Sequence, residues 1–179
     1  VERGMLAERD GGWQLVGDLS TIELPDSLQA LIVARIDRLG PARPTLQVAS
    51  VIGRRFGRTV LERVTNGAVR LDADLSQAQR ADLVLELPAQ HDREYDFKHV
   101  LIRDAAYVTL LHRRRRDLHR RVAEAVEALY PDRVPELHAI LAYHYEHAEA
   151  WERAYHHARA AAEAARDGFA NREALESYT

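Results

Sequence analysis

A mainly helical chain with small β-hairpins is predicted by two observations. Apolar residues recur at three- and four-residue intervals along most of the sequence, while strict alternation is confined to two short runs, 83–87 and 94–98. The composition agrees: 179 residues, 46% hydrophobic and 30% charged with a net charge of -3, are enough for a sizeable core. No apolar run approaches the ~20 residues of a membrane span, so no membrane partner is expected. Cysteine is absent, which excludes disulfide and thiolate chemistry and makes a cytoplasmic address the expectation. Near-neutral charge gives no global reason to bind nucleic acid. Lys98 is the only lysine among 25 basic residues, a bias that fits GC-rich coding and lowers the weight of any arginine cluster.

The elements follow in order. Met5–Glu8 and Trp13–Val16 are strand candidates around the turn former Asp10-Gly11-Gly12. Such a hairpin is marginal alone, so residues 1–24 read as the tail of a preceding unit. The chain starts without Met and its last stretch, Arg172–Thr179, has no cap or breaker; an excised piece of a longer protein is expected. Pro25 suits a first helical turn, and Leu28, Leu31, Ile32, Ile36 and Leu39 share a face before Gly40-Pro41. Pro44 opens a second helix to Gly53, a third spans Arg58–Val64 and a fourth Leu71–Asp82. Leu83, Leu85 and Leu87 then alternate with Val84 and Glu86, and Tyr95 and Phe97 with Glu94, Asp96 and Lys98, giving a half-buried hairpin. Helices followed by such a hairpin, over 25–111, have the layout of a winged-helix domain. After a helix at Val100–Leu111, a connecting helix and linker fill 112–134, with Leu118, Val122, Ala125, Val126 and Leu129 on one face. Helices near 136–148, 151–167 and 170–179 have very short joints, which force antiparallel neighbours. The start of tetratricopeptide-like α-hairpin repeats is therefore expected over 135–179. Ala154 as the small residue of a second repeat helix places Leu141, Ala142 and Tyr145 on the first, with Ala158 and Ala161 following; a register on Ala162, Ala174 and Tyr178 competes.

Three stretches carry a resemblance. Leu24-Pro25-Asp26-Ser27-Leu28-Gln29-Ala30-Leu31 with Ala34-Arg35-Ile36-Asp37-Arg38-Leu39 is one, and Leu46 through Phe56 is the second. The third is Phe97-Lys98-His99-Val100-Leu101-Ile102-Arg103-Asp104-Ala105-Ala106-Tyr107. Together they resemble signal-transducing ATPases of the STAND type. Many of these begin with a class III adenylate/guanylate cyclase domain and end in tetratricopeptide-like repeats; others end in a DNA-binding regulator domain. The resemblance implies that residues 1–24 close an ATPase helical region and that ATP or ADP belongs to that upstream domain. It also implies a winged-helix segment that relays between ATPase and repeats. In related proteins of apoptosis and plant resistance a Met-His-Asp motif at the end of the winged helix touches bound ADP. Phe97-Lys98-His99-Val100 occupies that place, with Val100 where the family has aspartate. His99 is thus the candidate nucleotide sensor, and a histidine capping the following helix is the structural alternative.

Catalytic residues are not expected in this chain. A phosphate-binding loop needs a glycine run followed by lysine, and Lys98 follows none; paired cyclase aspartates are not recognisable either. His144, His147, His156 and His157 invite a metal hypothesis, but adjacent histidines point about 100° apart on a helix and no metal site is expected. Arg113, Arg114, Arg116 and Arg120, in the densest basic run, form the candidate basic interface, more suited to a solvated or interdomain face than to DNA. The expected function is regulatory and non-catalytic: coupling nucleotide state to an unidentified protein partner held by the repeats. A DNA-binding winged-helix module using the fourth helix, or the regulatory arm of a nucleotide cyclase, are the alternatives.

Overall fold

The computed structural model describes residues 6–9, 12–15, 26–88 and 92–177. It is mainly helical, with a two-stranded ladder and a small three-stranded antiparallel sheet. The ladder pairs β1 (Leu6–Arg9) with β2 (Gly12–Leu15). Met5, Val16, the turn residues Asp10 and Gly11, Pro25, the tip 89–91 and Tyr178 lie outside the described residues.

Helix α1 (Asp26–Asp37) is followed by a 3-10 turn, Gly40–Ala42, entered through Gly40 at φ 52°, where only glycine is unstrained. Then come α2 (Arg43–Ile52), β3 (Arg55–Gly57), α3 (Arg58–Val64) and α4 (Leu71–Arg80). The hairpin β4 (Val84–Leu87) and β5 (Glu94–Phe97) leads into α5 (Val100–Val108). In the sheet the order is β3-β5-β4, so the last strand lies in the middle. The expected first-helix stripe is corrected at one place. Leu31 is 68% exposed, because it lies five residues, about 140° of helical rotation, from the fully buried Ile36.

The hairpin itself forms as expected, with Tyr95 and Phe97 of β5 and Leu83 ahead of β4 buried, but within β4 the inward residue is Val84 rather than Leu85 or Leu87. Register places Val84 opposite Phe97 and Phe56 opposite Tyr95, and these four residues are buried, whereas Leu85 and Leu87 are only half-buried. Aromatic packing sets this phase: Phe56 stacks on Tyr95 with centroids 5.6 Å apart and meets Phe97 at 5.5 Å. Rings this large dominate the burial gain, and the strand adopts the phase that hides them.

Three further helices complete the chain: α6 (His112–Leu129), α7 (Val134–His147) and α8 (Trp151–Ser177). The predicted break near Asp167-Gly168 is absent, and α8 is continuous through it. A lone glycine costs an alanine-rich helix about 1 kcal/mol, which weakens it without ending it. Helix α6 packs on α2 and α3 on one side and on α7 on the other. The core is accordingly contiguous, running from Ile36, Leu46 and Leu61 through Phe97 to Leu118, Val122, Leu141 and Tyr145.

One buried polar contact ties the first helices together. The Thr45 hydroxyl of α2 donates to Asp74 Oδ2 of α4 at 2.6 Å, and both residues are buried. Asp74→Ala leaves that hydroxyl buried without its acceptor, a loss of about 1–3 kcal/mol. Urea unfolding should show a lower midpoint with an unchanged slope for Asp74→Ala, and a smaller loss for Thr45→Val combined with Asp74→Leu; equal losses would mean the pair carries nothing.

Candidate functional site

Helix α6 buries polar atoms as well as apolar ones. Leu118, Val122, Ala125 and Val126 form its expected apolar stripe, and His119 lies beside them at 0% exposure. A buried imidazole must find partners for both ring nitrogens. His119 Nε2 meets the Tyr107 hydroxyl of α5 at 3.0 Å, and its Nδ1 meets Nδ1 of His144 on α7 at 2.9 Å. The rings of His147 and Tyr143 close over the pair, with centroids 4.8 Å and 5.7 Å from His119. Burial first, then the neighbouring histidines and the guanidinium of Arg103, hold both His119 and His144 well below the ordinary histidine range.

A second polar cluster joins three helices. Glu127 of α6 accepts from the Tyr145 hydroxyl of α7 at 2.6 Å, and from Arg153 at 2.7 Å and His157 Nε2 at 3.1 Å, both on α8. An ionised carboxylate only accepts, so His157 carries its proton on Nε2 and its bare Nδ1 accepts from His138 Nδ1 at 2.9 Å. The Arg153 guanidinium also lies 4.4 Å from the Tyr145 ring centroid. His144 and His157 therefore belong to different clusters, each paired with a histidine, His119 or His138, that the sequence pattern does not mark. Among the described residues no group of three or more His, Cys, Asp or Glu is arranged to hold a metal ion.

Repeat-packing residues divide by burial. Leu141, Tyr145 and Ala154 are buried, Ala142 and Ala161 are half-buried, and Ala158 is exposed. The buried face of α8 runs through positions 154, 157 and 161, so His157 takes the place expected for Ala158.

His99 sits where β5 hands over to α5. It is the N-cap residue of that helix, in extended backbone, and its Nδ1 accepts from the Leu101 N–H at 3.2 Å. The ring is exposed and its proton is on Nε2, which faces no partner among the described residues. Next to it, Lys98 pairs with Asp82, whose carboxyl is held below its usual range chiefly by that hydrogen bond.

The basic run is mostly engaged at home. Arg114 pairs with Asp117 at 2.9 Å and Arg116 with Glu149 at 3.0 Å. Arg115 donates to the carbonyls of Leu110 and Val108, each at 2.9 Å, and Arg121 to the carbonyl of Val64 and to Asn66. Arg113 and Arg120 have no ion-pair partner among the described residues. Helix α4 opens on acid: Asp72 is clamped by Arg58 at 2.9 Å and 3.0 Å and by Arg93 at 3.4 Å.

Comparison with protein-family models, curated proteins and solved structures finds no match.

The buried histidine pair makes stability depend on pH in a stated direction. Unfolded, both rings titrate near ~6.5; folded, they stay neutral to well below that value. Between those values the unfolded chain binds more protons, so the contribution is fully present above about pH 6.5 and is lost as pH falls through the folded values. Urea midpoints should drop between pH 7 and pH 5, and the double variant His119→Leu/His144→Leu should drop less. An identical drop in the two proteins would remove the pair as the cause.

Proposed function

We propose that this chain is a non-catalytic relay segment of a multidomain signal-transducing ATPase. In this reading residues 25–111, α1 to α5, are a winged-helix-like unit that takes up the nucleotide state of an upstream ATPase domain. The α7–α8 hairpin starts a tetratricopeptide-like array that holds a protein partner. Support for the first half is the order helix, strand, helix, helix, strand, strand, with the sheet order β3-β5-β4. Support for the second is a two-helix hairpin with a three-residue joint and a small residue, Ala154, at its contact.

The observation that carries the relay is the double packing of α6. Its Val122 and Val126 lie in one contiguous core with Leu61 of α3 and Leu141 of α7, so neither side moves without repacking the other. Duplex DNA is the less favoured partner, because α4 presents Asp72 and most of the arginine run is engaged. The absence of a phosphate-binding loop in the sequence supports a segment without turnover of its own.

His99 carries the nucleotide side of the reading. With Nδ1 spent on the cap, Nε2–H is the atom offered to a phosphate oxygen. In a chain that includes the ATPase domain, losing one hydrogen bond to a charged phosphate weakens ADP retention by about 1.5–3 kcal/mol, roughly 10- to 150-fold. His99→Asn keeps an N-cap side chain and removes the imidazole, so it isolates the contact from the cap. Faster ADP release and raised basal output are expected for His99→Asn. Unaltered ADP affinity in that folded variant would sink the sensing role.

A further inference from the structure

A cavity of about 550 Å³ lies between the sheet and the α6–α7 pair, within the ~300–1,000 Å³ range of small-molecule sites. Its floor is apolar: Phe56, Val60, Val122 and Val126 are buried, and Leu137 and Ile140 close the α7 side. His144 also lines it and is only 2% exposed. Its Nδ1 is taken by His119, and its Nε2 has no partner among the described residues.

Hydrogen-bond bookkeeping along α5, α6 and α7 decides what that nitrogen presents. The Tyr107 hydroxyl has one side-chain partner among the described residues, His119 Nε2. Its hydrogen has no other side-chain acceptor among the described residues, so we take the hydroxyl as donor and Nε2 as acceptor. His119 then carries its proton on Nδ1 and donates to His144 Nδ1, which leaves His144 protonated on Nε2. Beside the apolar floor residues, His144 thus presents a neutral N–H donor, kept neutral by burial and by His147 and Arg103. At the rim, Arg55 and Arg133 are balanced by Asp92 and Glu94, which selects neither an anion nor a cation. A charged group on this floor would lose its hydration without an opposite charge to replace it.

We propose that this cavity binds a neutral, largely apolar small molecule whose carbonyl oxygen accepts a hydrogen bond from His144 Nε2. Its walls come from β3 and α3 on one side and from α6 and α7 on the other, so the bound molecule bridges them. The inference goes beyond the relay reading and holds whether or not an ATPase domain precedes the chain.

The test titrates prodan, a neutral aromatic ketone whose emission moves to the blue in apolar surroundings, into the whole 179-residue chain. Saturable one-to-one binding is expected, with a shift of the His144 Nε2 resonance in imidazole NMR. Ile140→Trp fills the cavity from a half-exposed wall and leaves the His144 donor and its His119 partner in the chain, and should weaken binding by about tenfold or more. His144→Phe keeps a ring but removes the donor, and should weaken it roughly 2- to 12-fold. Anilinonaphthalene sulfonate, a charged dye of similar size, should bind about tenfold less tightly. Prodan binding unchanged by Ile140→Trp, equal binding of the sulfonate, or a stationary His144 resonance at saturation would each overturn the proposal. So would a dimer, seen by sedimentation and abolished by Ile140→Trp in a chain that ignores prodan, since the cavity would then belong to a second copy. Should His144→Phe fail to fold, Ile140→Trp and the resonance in the unsubstituted chain still decide.

Discussion

Everything in this molecule depends on a helix that must be buried on two sides at once. Helix α6 gives Leu118, Val122, Ala125 and Val126 to a core shared with α2, α3 and α7. On those two sides a polar side chain cannot be left to water. His119 and Glu127 are therefore satisfied by the protein itself, His119 from α5 and α7, and Glu127 from α7 and α8. Apolar burial supplies the attraction between these helices, since each fully buried Leu or Val contributes about 1.5–3 kcal/mol. The polar clusters add direction: a slip of α7 along α6 by one turn would keep much of the apolar contact but would separate His119 from His144 and Tyr145 from Glu127.

The same division explains what could be read in the chain. Helix positions and the β4–β5 hairpin were legible, because their periodicities repeat several times and Gly, Pro and Asn-Gly punctuate them. Strand β3 was not, since three residues carry no measurable alternation. The phase of β5 was legible, since Tyr95 and Phe97 are inward as expected, but that of β4 was not, because Val84, Leu85 and Leu87 are all apolar and only the pairing of Val84 with Phe97 turns it inward. Continuity of α8 was missed because Gly168 looked like a stop, whereas the alanines before it favour helix strongly enough to carry the glycine.

Of the candidate site, His99 was legible as a residue and its cap was one of the two expected roles. The histidine pairs were not. Partners 25 and 19 residues apart, on different helices, leave no spacing signal in a sequence. Four histidines singled out for their closeness in the chain turn out to matter by closeness in space to two others. The arginine run shows the opposite failure. It is conspicuous in the sequence, yet Asp117, Glu149 and backbone carbonyls absorb much of it.

The length of α8 has a mechanical meaning. Its 27 residues, against 14 in α7, make a rod of about 40 Å beside a support of about 21 Å, at 1.5 Å per residue. The rod is held near its first turns, where Arg153 and His157 meet Glu127. A rod held near one end magnifies whatever happens there: tilting it by about 10° at Glu127 would swing the far end, about 30–36 Å away, through roughly 5–6 Å, about the pitch of one helical turn. The carboxylate of Glu127 is in that sense a fulcrum, and a small tilt around it reaches the far end as a shift of about one helical turn because Gly168 does not end the helix.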